Sequence, residues 1–343
     1  MNIIYIFNLV LLLSTFNVKG QQQIIDTKTL NDGPYIFIEK DKLIKKEIVD
    51  GNLIIKDLRL TSYDTIFRIE KSVYKKVKNI VVLSDIHGQY DLAVELLKNN
   101  KIIDKNSNWK YNNGHLVIVG DIFDRGPKVN EMLWLVYKLE KQAKKKKGKV
   151  HFILGNHEYM ILHGNLKYIN DKYKKTCELL KLNYSELYGK HTILGRWLRS
   201  KPTIVKIGDN TFVHGGISKK FLSIGYDIEK TNKIMRELID KDEVKSTDFY
   251  KTYFGENGPV WYRGYFKDNL RDNEISDILK EILSKHIVVG HCSNEKVVQL
   301  YDHKIFGVDS SIKKGEYGEL LFIKHGKKYY RGTLQGKKIR FRK

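Results

Sequence analysis

The apolar positions fall into short, regularly placed runs. Ile80-Val81-Val82-Leu83, Leu116-Val117-Ile118-Val119 and Val150 to Leu154 are continuous hydrophobic blocks of strand length. Between them lie stretches with helical spacing, one running through Leu97 and one from Val129 to Lys147. Unbroken apolar blocks alternating with amphipathic helices predict parallel strands buried on both faces, a β-α-β-α-β core of the α/β class. Further blocks at Thr211-Phe212-Val213, Ile287-Val288-Val289, Val297-Val298, Ile305-Phe306 and Leu320 to Ile323 read as later strands, followed by two basic hairpin-like runs to Lys343. Residues 158–198 read as largely helical. Before the core, Tyr35 to Ile38, Leu43-Ile44 and Leu53 to Ile55 alternate with turn signals at Asn31-Asp32-Gly33-Pro34 and Asp50-Gly51-Asn52. They predict a small β-rich extension over 21–78, ahead of a catalytic domain over 79–343.

The first twenty residues differ from the rest. Ile3 to Leu13 is apolar except for Asn8, too short for the roughly 20 residues that span a bilayer and matched to a signal-peptide core. Val18-Lys19-Gly20 then places small residues before Gln21. Residues 1–20 are therefore expected to direct export, periplasmic or secreted, and to be removed. No other segment is apolar enough to insert stably into a membrane. An adaptor anchored by an uncleaved N-terminus is the contrary reading.

Composition narrows this picture modestly. The 343 residues carry 62 Lys and Arg against 40 Asp and Glu, a formal charge of +22. Such a balance favours anionic partners. Lys far exceeds Arg, as a general compositional bias also produces. The run Lys144 to Lys147 reads as a solvated helix end, with no interleaved aromatics and no nucleic-acid module. The two cysteines, Cys177 and Cys292, lie far apart, which argues against a thiolate metal site and leaves open one disulfide or two free thiols.

Chemistry gathers where the strands stop. Polar residues follow the blocks directly: Asp85 and His87; Asp121, Asp124 and Arg125; Asn156 and His157; His214; His291. Open α/β sheets place their sites at these strand ends. Carboxylate, imidazole and amide oxygen suit Mn, Fe or Zn. Two divalent ions sharing one carboxylate need roughly six protein ligands, and this inventory supplies them without cysteine. Flanking glycines, such as Gly88, Gly120 and Gly155, let the loops turn tightly and approach a ligand. His115 and His151 stand outside these loops and read as structural. Arg196, beside Trp197, is open between the site and a packing role.

The segments Asp85-Ile86-His87-Gly88, Gly120-Asp121-Ile122-Phe123-Asp124-Arg125-Gly126, Gly155-Asn156-His157-Glu158, His214-Gly215-Gly216 and Gly290-His291 resemble, in order, the five signatures of the phosphoprotein phosphatase family of calcineurin-like metallophosphoesterases. Gly258-Pro259-Val260-Trp261-Tyr262-Arg263-Gly264 resembles its bacterial-like, Shewanella-like branch. Cys292 stands where the wider family commonly has Thr. The resemblance covers about 79–325 and implies two mixed β-sheets in a central sandwich flanked by helices. It implies a first metal on Asp85, His87 and Asp121, and a second on Asp121, Asn156, His214 and His291, with Asp121 bridging. It also implies His157 as general acid supported by Asp124, with Arg125, Arg263 and Asn156 contacting phosphate. The expected substrate is a phosphorylated protein or a small phosphate ester. A nucleotide or dinucleoside polyphosphate hydrolase is the enzymatic alternative, and a phosphate-binding protein without turnover is the alternative outside enzymes.

Overall fold

The computed structural model describes residues 29–241 and 245–341; the expected signal peptide lies outside them. The chain opens with β1 (Asp32–Ile38), β2 (Leu43–Val49) and β3 (Asn52–Leu58), an antiparallel sheet. Asp50 and Gly51 both take positive φ and close the β2–β3 hairpin, the conformation that an Asp-Gly pair favours. The expected turn at Asn31 to Pro34 is instead the start of β1, carried on an irregular register between Asp32 and Tyr35. Pro34 has no N–H to give, which suits it to this edge strand. The buried Asp32 carboxylate holds the segment down, accepting from Tyr35 and Thr176 at 2.7 Å and pairing with Lys172 at 3.1 Å.

Next come β4 (Val73–Tyr74), β5 (Asn79–Leu83), α1 (Tyr90–Asn99), β6 (His115–Val119), α2 (Val129–Lys145) and β7 (Lys149–Ile153). The stretch after β7 holds α3 (Asn156–Leu162), α4 (Asp171–Leu180) and α5 (Ile193–Arg199), then β8 (Ile204–Ile207) and β9 (Asn210–Val213). Helices α6 (Lys219–Leu222), α7 (Ile228–Glu237), α8 (Asp248–Phe254), α9 (Gly264–Lys267) and α10 (Asp272–Glu281) lead to β10 (His286–Val289). Strands β11 (Val298–Leu300), β12 (Ile305–Gly307), β13 (Leu320–Lys324), β14 (Lys328–Gly332) and β15 (Lys338–Arg340) complete the order.

Two six-stranded mixed sheets result, β11-β12-β10-β9-β8-β4 and β15-β14-β13-β5-β6-β7. The continuous apolar blocks follow from this arrangement. Ile80, Val82, Val117, Val119 and Ile153 from one sheet meet Val205, Ile207, Phe212, Val288 and Phe306 from the other. The alternate residues Val81, Leu83, Leu116, Ile118, Val150 and Phe152 face the helices. Successive strand side chains point to opposite faces, so a strand covered on both faces must be apolar throughout. Helix α2 buries Met132, Leu133, Val136 and Leu139, the spacing of a single helical stripe. Its last turn carries Lys144 and Lys145, which complement the negative end of the helix dipole. Among the described residues no helix is long and apolar enough to cross a membrane. Cys177 and Cys292 are free thiols.

Candidate metal centre

Strands β5, β6, β7, β9 and β10 all release their chains at one end of the sandwich. The loops that follow turn at once. Asp85, His87, Asp121, Asp124, Arg125 and His291 all adopt left-handed backbone conformations. Such a conformation costs a non-glycine residue on the order of 1 kcal/mol or more, and a cluster of them marks a site held by its surroundings. Gly155 permits a close approach: a Cβ there would stand 2.3 Å from the Asp121 carboxylate.

Asp121 lies at the centre and is buried. Its Oδ2 sits 3.1 Å from His214 Nε2, 3.6 Å from His87 Nε2 and 3.9 Å from His157 Nε2, while Oδ1 accepts the His157 amide at 3.0 Å. Burial works to raise the Asp121 pKa. The imidazoles of His214, His157 and His87 outweigh burial and hold the carboxyl well below its usual range. Asp85 Oδ1 lies 3.9 Å from His87 Nε2, and its Oδ2 accepts from Ser84 and from the His291 amide at 3.0 Å. Burial, then the nearby Asp309 carboxylate, raise the Asp85 pKa well above normal.

Backbone carbonyls set two of the imidazoles. His87 Nδ1 donates to Phe123 O and His214 Nδ1 donates to Val119 O, each at 2.7 Å. That hydrogen bond leaves each Nε2 lone pair directed inward, the orientation of a metal-ligating histidine. His214 Nε2 faces Asn156 Oδ1 at 2.9 Å, His291 Nδ1 at 3.1 Å and Asp121 Oδ2. A buried point on which two oxygens and two imidazole nitrogens converge suits a cation. Burial lowers the His214 pKa, but the field of Asp121 overrides this and raises it to about 10. The donor set fits a divalent ion. Two groups, Asp121 with His214 and His291 and Asp121 with His87 and His157, each gather ligand atoms within 4.8 Å, with Asp121 common to both. His157 nevertheless differs from the others. Its Nδ1 donates to Asp124 Oδ2 at 2.5 Å, so a carboxylate rather than a carbonyl orients it. Burial lowers its pKa, but Asp121 and Asp124 reverse that effect and raise it.

Two arginines flank the group. Arg125 is exposed, its guanidinium 5.3 Å from the Tyr168 ring, and its charge reaches His87. Arg263 lies 5.5 Å from the Trp261 ring, and its charge adds to burial and His214 in holding the His291 pKa well below its usual value. All nine strand-end residues thus meet at one place, joined by Arg263. Arg196 does not: it donates to the Lys190 and Thr65 carbonyls and packs the N-terminal segment.

Sequence reasoning assigned no role to Glu158. Its fully buried carboxylate accepts the amides of Asp121, Ile122, Phe123 and Gly155, clamping the loop that carries Asp121 against the one that carries Asn156. A Glu in the first turn of a helix that opens directly from a strand-end loop was the available signal. Asp309, buried just after β12, was also missed; it accepts from Ser293 at 2.6 Å and from the Ser311 amide. The strand-end rule, applied to the Ile305-Phe306 block, points to it.

The calcineurin-like phosphoesterase profile matches residues 78–310. The chain belongs to this family. A solved structure described as a cold-active protein-tyrosine phosphatase of a psychrophilic Shewanella species is 39% identical, with a TM-score of 0.88 over 91% of this chain and 99% of that one. Shewanella-like protein phosphatase 1 of Plasmodium berghei is 27% identical over 281 residues, 76% of this chain and 74% of the relative. Shewanella-like protein phosphatase 2 of Arabidopsis thaliana is 23% identical over 291 residues, 71% and 73% respectively. Within the phosphoesterases, the chain falls in the Shewanella-like branch of the phosphoprotein phosphatases.

Proposed function

We propose that this chain is a two-metal phosphoprotein phosphatase that prefers phosphotyrosyl residues. The observation that carries the hydrolase reading is the buried Asp121 carboxylate facing two ligand groups at once. Asp85, His87 and Asp121 would hold one ion, and Asp121, Asn156, His214 and His291 the other. Bound there, the ions supply Lewis-acid polarisation of the phosphoryl oxygens and a water acidic enough to attack near neutral pH.

The chain's own residues do the rest. Arg125 and Arg263 bind the phosphoryl oxygens through planar forks and stabilise their developing charge. Tyr168 and Trp261 support those guanidinium groups. His157, whose pKa Asp121 and Asp124 raise against the effect of burial, delivers the Nε2 proton to the departing oxygen. Asp124 accepts from Nδ1 throughout, fixing the ring and balancing its charge.

The tyrosine preference rests on likeness to the Shewanella enzyme along nearly the whole of both chains. The nucleotide reading gains no support from the aromatics at the site, since the Tyr168 ring is approached by both Arg125 and Lys167. Matched phosphopeptides carrying phosphotyrosine, phosphoserine or phosphothreonine, assayed beside diadenosine tetraphosphate, test the proposal. Phosphotyrosine is expected to show the highest kcat/KM. A higher value for phosphoserine overturns the preference; turnover of the dinucleotide alone overturns the protein-phosphatase reading.

Export is proposed from the Ile3 to Leu13 block. The mature chain is expected to begin at or near Gln21. Recovery of Met1 from secreted or envelope material would contradict this.

A further inference from the structure

The far end of the same strands carries a different cluster. A cavity of about 360 Å³ opens beside the starts of β5 and β6, lined by Lys71, Lys75, Lys76, Lys78, Lys147 and His115. No carboxylate lines it. Each parallel strand spans five residues, which at about 3.3 Å per residue sets this cavity roughly 15 Å from the metal centre.

A lysine-rich chain scatters ammonium groups widely, and most are solvated or paired. On the adjoining wall Lys149 pairs with Glu70, Lys141 with Asp64 and Lys201 with Glu140. The five cavity lysines are exposed; among the described residues none has an ion-pair partner, and they line one cavity from two segments far apart in sequence, 71–78 and the turn after α2. Like charges gathered around one cavity repel, and a single anion with several charges relieves that repulsion. Lysines act as compact point charges suited to phosphoryl oxygens, and the volume exceeds what one phosphate fills. Tyr74 forms a shared wall, with Lys71 at 5.2 Å and Lys149 at 5.4 Å from its ring centre. Beyond Tyr74 lies a second cavity of about 410 Å³ with Phe67, Tyr137 and Trp197 on its walls.

We propose that the lysine cavity is a second anion site, separate from the metal centre, that binds an oligophosphate. The ligand bridges Lys75, Lys76 and Lys78, on the segment entering β5, to Lys147 beyond α2. The same chemistry is offered by an inorganic chain and by the tail of a nucleoside triphosphate.

Calorimetric titration of the metal-loaded full chain tests this, with orthophosphate, tripolyphosphate and ATP as probes and magnesium in excess so that the metal centre is not stripped. Tripolyphosphate is expected to bind wild type and to bind the Lys75→Gln/Lys76→Gln/Lys147→Gln variant about tenfold or more weakly. Aryl phosphatase activity of that variant should be unchanged. The corresponding triple Arg variant keeps the charge and should retain binding. ATP binding more tightly than tripolyphosphate upholds the site and assigns a nucleotide that reaches past Tyr74; equal binding upholds it with an inorganic chain. Equal tripolyphosphate affinity in wild type and the Gln variant, no binding to wild type, or orthophosphate binding as tightly as tripolyphosphate overturns the proposal.

Discussion

The two ends of the β-sandwich do not share chemistry. At one end His214, fully buried, has its pKa raised to about 10. At the other, His115 is driven down to about 4. Burial acts in the same direction on both, disfavouring the charged ring. The difference lies in the company. His214 faces Asp121, whose negative charge overrides desolvation. His115 faces His151 at 2.9 Å, with Lys149 nearby, and nothing offsets burial. The strand fixes how deep a histidine sits; the loop residues fix which charge that depth favours.

The largest effect should come from removing the charge at the first end. Asp121→Asn keeps the shape but lowers the charge that two cations share, so activity should nearly vanish and metal content fall. Near-normal turnover with two bound ions would break the contrast between the ends.

His157→Asn comes next. The loss should reach about 10²–10⁴-fold on an alkyl phosphate, the usual range for general acid catalysis, with both ions still bound. It should be smaller for an aryl phosphate with a good leaving group, which needs less protonation. Equal losses on both would remove His157 from the role of acid.

Glu158→Gln tests the clamp. Four amides donate to this carboxylate, and an outer partner of a metal ligand commonly accounts for about 10–100-fold in affinity or activity. The expected signature is weaker metal binding, rescued in part by raising the metal concentration. A fall in turnover that excess metal does not touch would show that Glu158 acts in another way.

The smallest effect belongs to the far end. The folded pKa of His115 lies below the roughly 6.5 of an unfolded histidine, so the unfolded chain binds its proton first as pH falls. That contribution to stability is complete above about pH 6.5 and declines towards about pH 4, by on the order of 1 kcal/mol once partial exposure is allowed for. His115→Gln should flatten the fall in Tm over that window relative to wild type. Parallel curves would show that the pair does not titrate as described.

Much of this was legible because one geometric fact governs both sequence and site. Strands covered on both faces must read as apolar blocks, and the blocks therefore announced Asp85, Asp121, Asn156, His214 and His291 by ending at them. What escaped was fixed by tertiary pairing. Glu158 gains its role from amides some 36 residues away at Ile122, and Asp309 from its proximity to Asp85. The Asn31 to Pro34 turn signal gave way to a strand because Asp32 is held by Thr176 and Lys172, contacts that local propensity does not register. Arg196 stood between two roles by its sequence neighbours alone, and its carbonyl partners at Lys190 and Thr65 place it in packing.

The central claim, that acceptors converging on Asp121 and His214 hold two catalytic cations, has a direct measurement. Purified full-length protein is stripped of metal and titrated with manganese, with bound metal and aryl phosphatase activity followed together. The account predicts an inactive stripped protein whose activity returns as two ions bind per chain. Full activity in the stripped protein, or full activity restored at one ion per chain, would contradict it.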